Sequence, residues 1–297
     1  MITIKLVGGL GNQLFGYYFG QALDKTVKYD LSDQIHGIAT QKVSIQETSL
    51  KGIFGAFSGE LPVRISNQPR IVKRFVSRLL TYQRKIRFRS KVYESKCVGF
   101  DVDFNIEEKD YREIHGYFQS YLYVDAAIAK NPELQNLELA LPSAWFVSMK
   151  TKLLREDPIV IHIRRGDYSK LKDSVGLLNE IYYSNAIRSF LDGSELVQPV
   201  WIFSDSPDQI QNSMPKLLDF NPRIIVPPKA STDAEALVLM SHAKKIIIAN
   251  STFSWWAARV NGLQKEVIAP SEWFRALPDP EFLIPLTWRR QESSWID

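Results

Sequence analysis

The sequence has little cysteine, no long apolar run and no low-complexity segment. Cys97 is the one cysteine among 297 residues, which excludes a disulfide framework and favours a reducing compartment. No stretch approaches the roughly 18–20 apolar residues of a membrane-spanning helix, and the start MITIKLVGGLGN lacks the pattern of a secretory signal. The net charge is only +4, so the chain as a whole is not a polyelectrolyte. We therefore expect a cytoplasmic protein.

Acidic residues are absent from residues 61–93, although the window is rich in arginine and lysine. Within it, Val72, Phe75, Val76, Leu79 and Tyr82 recur at helical spacing. This pattern predicts a basic amphipathic helix. Such a helix is attracted to an anionic membrane surface, which we expect as a partner.

The chain is long enough for two domains, and the stretch REDP at 155–158 marks a boundary that we place near residue 150. Apolar runs predict an α/β fold of two Rossmann-like domains, 1–150 and 151–297. The predicted strands are 2–7, 28–31, 159–163, 200–203, 223–226, 245–249 and 266–269. Predicted helices lie at about 13–24, 181–191, 234–242 and 253–260.

Polar clusters follow three strands of the second predicted sheet. They are HIRRGDY at 162–168, SDS at 204–206 and NSTFS at 250–254. Ligands of parallel α/β sheets bind outside the carboxyl ends of the strands. We therefore predict one site at this edge of the sheet.

HIRRGDY offers two arginines whose planar guanidinium groups suit phosphate oxygens. Alternation along the strand places His162 and Arg164 on one face, while Arg165 lies at the exit and Gly166 permits a turn. The alternative is structural, with Arg165 paired to Asp167 and Arg164 solvated.

Two further stretches fit a phosphate site. In NSTFS, hydroxyls precede a predicted helix whose N-terminus attracts anions, although Ser251 or Thr252 can simply cap that helix. In GGLGNQ, at 8–13, the glycines indicate that the backbone after the first strand packs closely against another group, for which a ligand phosphate is the candidate.

A metal site has little support. Asp101 and Asp103 share one side of a predicted strand, FDVDFN, where they could hold a divalent ion or form a solvated strand face. The histidines lack metal-ligand spacing, and no histidine stands near Cys97 in sequence to activate a thiol. We expect no metal and no cofactor.

In order, the segments GGLGNQLFGYYFGQAL, GYFQS, HIRRGDY, FSDS and LMSHAKKIIIANSTFSWWAARV resemble the α-1,2-fucosyltransferase family. The resemblance implies a glycosyltransferase-B-like fold with the donor cleft at the carboxyl edge of the second sheet. It also implies inverting transfer of fucose from GDP-fucose to a galactose 2-hydroxyl without a metal. Residues 1–150 would then be the acceptor side and residues 151–297 the GDP-fucose-binding domain.

The same resemblance assigns roles to residues. Arg164 and Arg165 would hold the diphosphate together with the turn Ser251–Ser254, and His162 with Asp233 or Glu235 would contact guanine. The substrate-binding set implied by the motifs is Gly9, Gly11, Asn12, Gln119, His162, Tyr168, Ser204, Asp205, Asp233, Glu235, Asn250, Ser251, Thr252, Phe253 and Ser254.

Chemistry supports this assignment, because fixed cations and a helix N-terminus stabilise a diphosphate that gains negative charge as it leaves. The acceptor hydroxyl must lose a proton, which calls for a carboxylate. Asp167 is the candidate in the motif, although it can equally serve to orient Arg165.

Animal members of the family carry an N-terminal membrane anchor, whereas this sequence begins at a predicted strand. We therefore expect a bacterial cytoplasmic enzyme, peripheral on the inner membrane, that uses a lipid-linked galactose-containing acceptor. Two alternatives remain, a glycosyltransferase with another nucleotide-sugar donor and a non-enzymatic nucleotide or nucleic-acid binder. The latter leaves HIRRGDY and NSTFSWW unexplained, and we expect no nucleic-acid partner.

Overall fold

The computed structural model describes residues 1–23, 25–30, 92–105, 111–191, 198–229, 231–262 and 264–296. The first of its two sheets has four parallel strands in the order β2-β1-β4-β3. These strands are β1 (Ile2–Lys5), β2 (Val27–Asp30), β3 (Val92–Glu94) and β4 (Glu113–His115). Ile4 and Ile114 are fully buried at matched positions of β1 and β4, as alternation on a half-covered sheet requires.

Two helices pack together beside this sheet, α1 (Leu10–Ala22) and α2 (Tyr121–Lys130). Phe19 of α1 stacks on Phe118, with ring centroids 3.7 Å apart. Ser120 caps α2 by accepting a hydrogen bond from the amide of Leu122. A short 3-10 helix, Pro132–Gln135, leads from this half of the chain to α3 (Ala144–Glu156).

The second sheet has six parallel strands in the order β10-β9-β8-β5-β6-β7. Its strands are β5 (Ile159–Ile163), β6 (Val200–Ser204), β7 (Arg223–Ile225), β8 (Lys245–Ile247), β9 (Glu266–Pro270) and β10 (Arg289–Gln291). Its helices are α4 (Glu180–Leu191), α5 (Ile210–Ser213), α6 (Asp233–Met240) and α7 (Thr252–Arg259), with 3-10 turns at Gly166–Leu171, Pro207–Gln209 and Pro215–Phe220.

The central strand β5 is buried along its whole length. Val160 packs into one apolar cluster, whereas Ile159, Ile161 and Ile163 pack into another. This arrangement is typical of a parallel strand covered on both faces. Alternation along β5 therefore sets the faces of His162 and Ile163, the residues of HIRRGDY that lie in the strand.

Contacts between α1 and α7 join the two sheets. The indole N–H of Trp256 donates to the carbonyl of Gly11 at 2.8 Å. The C-terminal segment also returns to the first half, because the amide of Tyr121 donates to the carbonyl of Phe282 at 2.8 Å. Hydrogen bonds therefore join the half of the chain that forms the first sheet to the half that forms the second.

The structure confirms an α/β chain with parallel sheets and places strands at the predicted positions within a few residues. The predicted strand FDVDFN is wrong, because residues 101–105 form a turn. The predicted boundary near residue 150 falls within α3, which packs on α6, and stays a prediction. The basic helix falls almost entirely on residues 31–91, outside the described part of the chain. No helix among the described residues is long and apolar enough to cross a bilayer.

Candidate active site

The ends of β5, β6 and β8 lie at one edge of the second sheet because these neighbouring strands are parallel. This carboxyl edge carries the three polar motifs, which leave the strands at Arg164, Asp205 and Ser251 respectively. The predicted convergence of the motifs is therefore present in the fold.

Arg164 is the partly exposed cation of this edge. Its side chain is 26% exposed, and Nη1 lies 3.0 Å from Oδ2 of Asp205. The guanidinium also lies over the ring of Tyr168, 5.1 Å from the centroid, a cation–π contact. These three side chains, which we call the arginine site, present a positive group that is already oriented.

Arg165 points the other way, into the protein. It is 5% exposed, and its guanidinium donates to the carbonyls of Arg164 at 3.1 Å and Leu178 at 2.9 Å. Burial lowers the pKa of its guanidinium, with Tyr183 and Asp205 opposing that shift. Two of its donors thus hold the chain beneath the site, while its Nε is buried without a partner in the described part of the chain. A contact of Arg165 with a diphosphate stays a prediction.

Asp205 organises the turn that carries both arginines. While Oδ2 faces Arg164, Oδ1 accepts a hydrogen bond from the backbone N–H of Arg165 at 2.8 Å. A Cβ at Gly166 would stand 2.4 Å from Oδ2, so a larger residue there would displace this carboxylate. Ser204, the residue before it, accepts from the amide of Ser206 and serves the turn. Asp167 lies in the 3-10 turn that follows.

His162 is buried beside the arginine site. It is 3% exposed, and its Nδ1 has no hydrogen-bond partner within the described part of the chain. Burial, reinforced by the charge of Arg164, lowers its pKa to about 3. Its ring lies 5.4 Å from that of Phe253. At neutral pH it is an uncharged imidazole with an available nitrogen.

The polar side chains around the start of α7 divide by role. Ser254 donates to the carbonyl of Ser251, and Asn250 donates to the carbonyls of Val175 and Gly176. These two side chains therefore stabilise the backbone around the start of α7. Ser251 is the N-cap of α7, but its hydroxyl makes no capping hydrogen bond in the described structure. The N-terminus of α7 is therefore the part of NSTFS suited to an anion.

The glycine-rich turn packs against α7. A Cβ on Gly11 would lie 2.5–2.6 Å from backbone atoms of Thr252 and Phe253. Oδ1 of Asn12 accepts hydrogen bonds from Thr252 at 2.8 Å and Gln119 at 3.1 Å. Gly11 is buried, whereas Gly9 is partly exposed as the N-cap of α1. The close packing that the glycines predict is thus made with α7, and a contact of Gly11 with a donor phosphate stays a prediction.

Asp233 and Glu235 have different surroundings. Glu235 is 5% exposed, and its Oε1 accepts from the amide of Ser143 at 2.8 Å. Burial alone would raise its pKa, but hydrogen bonds, first those from Ser143, lower it. Glu235 thus joins α6 to the start of α3, and the choice between Asp233 and Glu235 as the contact to guanine stays a prediction. Asp233 is exposed at the start of α6.

Of the acidic pair Asp101 and Asp103, Asp101 has a structural role. Asp101 is 6% exposed and accepts hydrogen bonds from Tyr93 at 2.6 Å and Ser95 at 2.5 Å. The amide of Asp103 also donates to it, as in an Asx turn. Among the described residues, no group of three or more His, Cys, Asp or Glu side chains is arranged to hold a metal ion.

Sequence reasoning missed the partners of the two arginines. The carbonyl of Leu178, which anchors Arg165, follows a 3-10 turn and lies in a loop that the motifs do not mark. The ion pair of Arg164 with Asp205 joins two motifs 41 residues apart, and the parallel pairing of β5 with β6 could have signalled it.

Residues 148–285 match the family model described as Glycosyl transferase family 11. An α-1,2-colitosyltransferase of Escherichia coli is 26% identical over 289 residues, covering 92% of each chain. The O-antigen biosynthesis glycosyltransferase WbnK of Escherichia coli is 25% identical over 292 residues, covering 91% of this chain and 93% of the relative. A glycosyl transferase family 9 structure from Veillonella parvula aligns with a TM-score of 0.47 at 12% identity, over 97% of this chain and 84% of that one.

The family match and the two relatives identify the chain as a glycosyltransferase. The matching family model, glycosyl transferase family 11, agrees with the resemblance carried by the motifs.

Proposed function

We propose that this protein is an inverting glycosyltransferase that moves L-fucose from GDP-fucose to the 2-hydroxyl of a galactose. The observation that carries the proposal is Arg164, paired with Asp205 at the carboxyl edge of a parallel sheet from which α7 also begins. The two-domain, glycosyltransferase-B-like architecture, with residues 1–150 on the acceptor side, belongs to the same proposal.

The leaving group is the chemical reason for this arrangement. When the acceptor oxygen attacks the anomeric carbon, the bond to the diphosphate breaks and negative charge grows on its oxygens. Arg164 and the amides at the start of α7 are fixed positive groups, and such groups stabilise a charge that develops in a water-poor site. Ser251 is positioned to donate its hydroxyl to the same anion.

The nucleotide base would lie near His162. A neutral imidazole both donates and accepts hydrogen bonds, and its unpartnered Nδ1 is the group that a base edge can satisfy. Asp233, exposed at the start of α6, and Glu235, whose carboxylate accepts from Ser143, are our two acidic candidates for guanine. Asp167 is our candidate to accept the acceptor proton or to orient the neighbouring turn.

A second donor is favoured by one of the relatives, whose name gives colitose as the transferred sugar and an α-1,2 linkage as the product. Colitose is L-fucose without its 3-hydroxyl. A pocket that hydrogen-bonds that hydroxyl rejects the deoxy sugar by about 10⁴–10⁵, whereas an apolar pocket discriminates by only about 10². Competition between GDP-fucose and GDP-colitose therefore separates the two donors.

The name of the second relative gives O-antigen biosynthesis as its role. We propose a similar setting for this chain, the synthesis of a bacterial surface glycan, and we add a lipid-linked acceptor to it. The basic window at residues 61–93 would bring the enzyme to the anionic inner membrane surface.

The test is release of GDP with β1,3- and β1,4-linked galactosides as acceptors and GDP-fucose as donor. We expect an α-1,2-fucosylated product with inverted anomeric configuration. Turnover with GDP-colitose but not GDP-fucose would move the assignment to the second donor, and turnover with neither would reject both.

A further inference from the structure

A cavity opens at the carboxyl edge of the second sheet, outside the arginine site. Its volume is about 250 Å³. The segment between β9 and β10 supplies most of its wall, and Tyr121 of α2 closes it from the first half of the chain. The residues that matter for the argument are Tyr121, Trp273, Asp279, Phe282, Leu286 and Arg290.

The cavity lies close to the arginine site. In the sheet, β9 is separated from β5 by β8 alone, so at about 4.8 Å per strand the two strand ends are about 10 Å apart. The cavity wall and the start of α7 contact the same carbonyl. The backbone amide of Arg275, in the segment between β9 and β10, donates to the carbonyl of Val175, which also accepts from the side chain of Asn250, just before α7. A ligand in the cavity would therefore lie close to the proposed diphosphate, along the same edge of the second sheet.

The polar groups of the cavity suit a neutral ligand with hydroxyl groups. Asp279 is fixed by hydrogen bonds from the amides of Trp273 and Phe274, each 2.9 Å long, and a carboxylate retains further acceptor sites. Arg290 uses one N–H for the carbonyl of Pro270 at 3.1 Å, which leaves other donors. The two opposite charges balance each other, so the cavity does not favour an anion.

The apolar side is aromatic and partly uncovered. Phe282 is 47% exposed and sits at a φ of +54°, which is rare for a bulky residue. Its carbonyl accepts from the amide of Tyr121 at 2.8 Å, and the two rings lie 6.3 Å apart. Aromatic faces carry partial negative charge and attract the polarised C–H groups of a sugar ring.

We propose that this cavity binds one pyranose ring of the acceptor glycan, with Phe282 and Tyr121 against its C–H face and Asp279 and Arg290 on its hydroxyls. This inference rests on the proposed glycosyl transfer and adds the acceptor site to it. Residues 1–150 contribute Tyr121 to this site, and the second half of the chain contributes the other lining residues. The volume is below the roughly 300–1,000 Å³ of typical small-molecule sites, which fits one sugar ring better than a nucleotide sugar. Neither the arginine site nor α7 contributes to the lining.

The kinetic test uses Phe282→Ala and Arg290→Gln, with Leu218→Ala as the control. Leu218 is also a partly exposed apolar residue, 43% exposed, but lies in the turn before β7. With a β1,3- or β1,4-linked galactosyl disaccharide and saturating GDP-fucose, we expect the acceptor KM to rise ~10-fold or more in each cavity variant. The KM for GDP-fucose and both constants of the control should stay within about twofold. Unchanged acceptor KM in both folded cavity variants overturns the proposal, as does a rise confined to the donor KM.

A binding test separates this proposal from the donor assignment. Saturation-transfer NMR with methyl β-galactopyranoside and the same disaccharides, in the presence of GDP, requires no turnover. Signal in the wild type and the Leu218 control that is lost in Phe282→Ala supports the cavity, even if GDP-fucose itself is neither bound nor consumed. No sugar signal in the wild type, or equal signal in all proteins, rejects the cavity while leaving a measured donor activity in place.

Discussion

The carboxylate of Asp205 is shared between the two arginines of HIRRGDY, with one oxygen 3.0 Å from the guanidinium of Arg164 and the other 2.8 Å from the backbone N–H of Arg165. One carboxylate thus fixes both the side chain that faces the edge and the chain direction that buries its neighbour. The adjacent arginines, identical in chemistry, are given opposite roles by this contact.

Arg164→Lys should lower turnover by ~10²–10³, the usual effect of losing one donor to a developing charge. Lysine keeps the positive charge but not the planar fork that reaches Asp205 and a phosphate together. The measurement is GDP release at saturating galactoside and GDP-fucose, with the melting temperature recorded in parallel. The protein should melt near the wild-type temperature, because the Arg164 side chain is partly exposed.

Arg165→Lys is the matched variant and should act mainly on stability. It leaves the carbonyl of Leu178 or of Arg164 without its donor in a buried place, at about 1–3 kcal/mol for each unsatisfied group. A lower melting temperature with turnover reduced less than in Arg164→Lys is expected. Near wild-type turnover in Arg164→Lys, with a folded but inactive Arg165→Lys, contradicts the assignment of roles.

Much of the fold could be predicted from the sequence, because buried parallel strands appear as apolar runs and end in polar motifs. The apolar run Ile159–Ile163, for example, predicts strand β5 at its observed bounds. The burial of Arg165 could not be predicted in this way. Alternation along a strand predicts which face a side chain lies on, but it does not predict which backbone carbonyls accept its hydrogen bonds. Likewise, the glycines of GGLGNQ indicated close packing, and only the fold shows that the partner is α7.

Gly11→Ala should destabilise the contact between α1 and α7. The added methyl would lie 2.5 Å from the backbone of Thr252, and backbone cannot move aside as a side-chain tip can. We expect a loss of about 1–3 kcal/mol in the free energy of unfolding, measured by urea denaturation. Gly262→Ala is the control, because its methyl group would meet side-chain atoms of Lys265 and no backbone. Equal losses in the two variants would show that the α1–α7 contact has no special weight.

The buried His162 should make the protein less stable in acid. Its folded pKa is about 3 against an ordinary value of 6.5, so between these values the unfolded chain binds a proton that the folded chain does not. Its contribution to stability is therefore present above pH 6.5 and is lost as the pH falls, by about 2 kcal/mol between pH 7 and pH 5. His242, whose pKa burial lowers to about 4, acts in the same direction.

Urea unfolding of the wild type and of His162→Gln at pH 7 and pH 5 checks this expectation. The variant should lose about 2 kcal/mol less than the wild type over this interval, whatever its stability at pH 7. An identical pH dependence in both proteins would mean that His162 titrates normally in the folded state.

Turnover should survive excess EDTA, because Arg164 and the start of α7 provide the positive charge that a metal supplies elsewhere. Asp103→Asn should leave both activity and stability nearly unchanged, since Asp103 is exposed. Asp101→Asn should lower the melting temperature through its bonds to Tyr93 and Ser95. Loss of turnover on chelation that manganese restores would contradict the metal-free site.

Association with anionic membranes is the prediction that depends on the sequence alone, through the acid-free basic window at residues 61–93. Each lysine or arginine near an anionic surface contributes on the order of 1 kcal/mol, and salt screens that attraction. The protein should therefore co-sediment with phosphatidylserine-containing vesicles at low salt and be released as the salt concentration rises. Replacing Arg84, Lys85, Arg87 and Arg89 with glutamine should weaken binding, whereas glutamine at Lys170 and Lys172, a basic pair outside the window, should not. Equal binding to neutral phosphatidylcholine vesicles, or binding insensitive to salt, would contradict an electrostatic attachment, because neither follows from charge attraction.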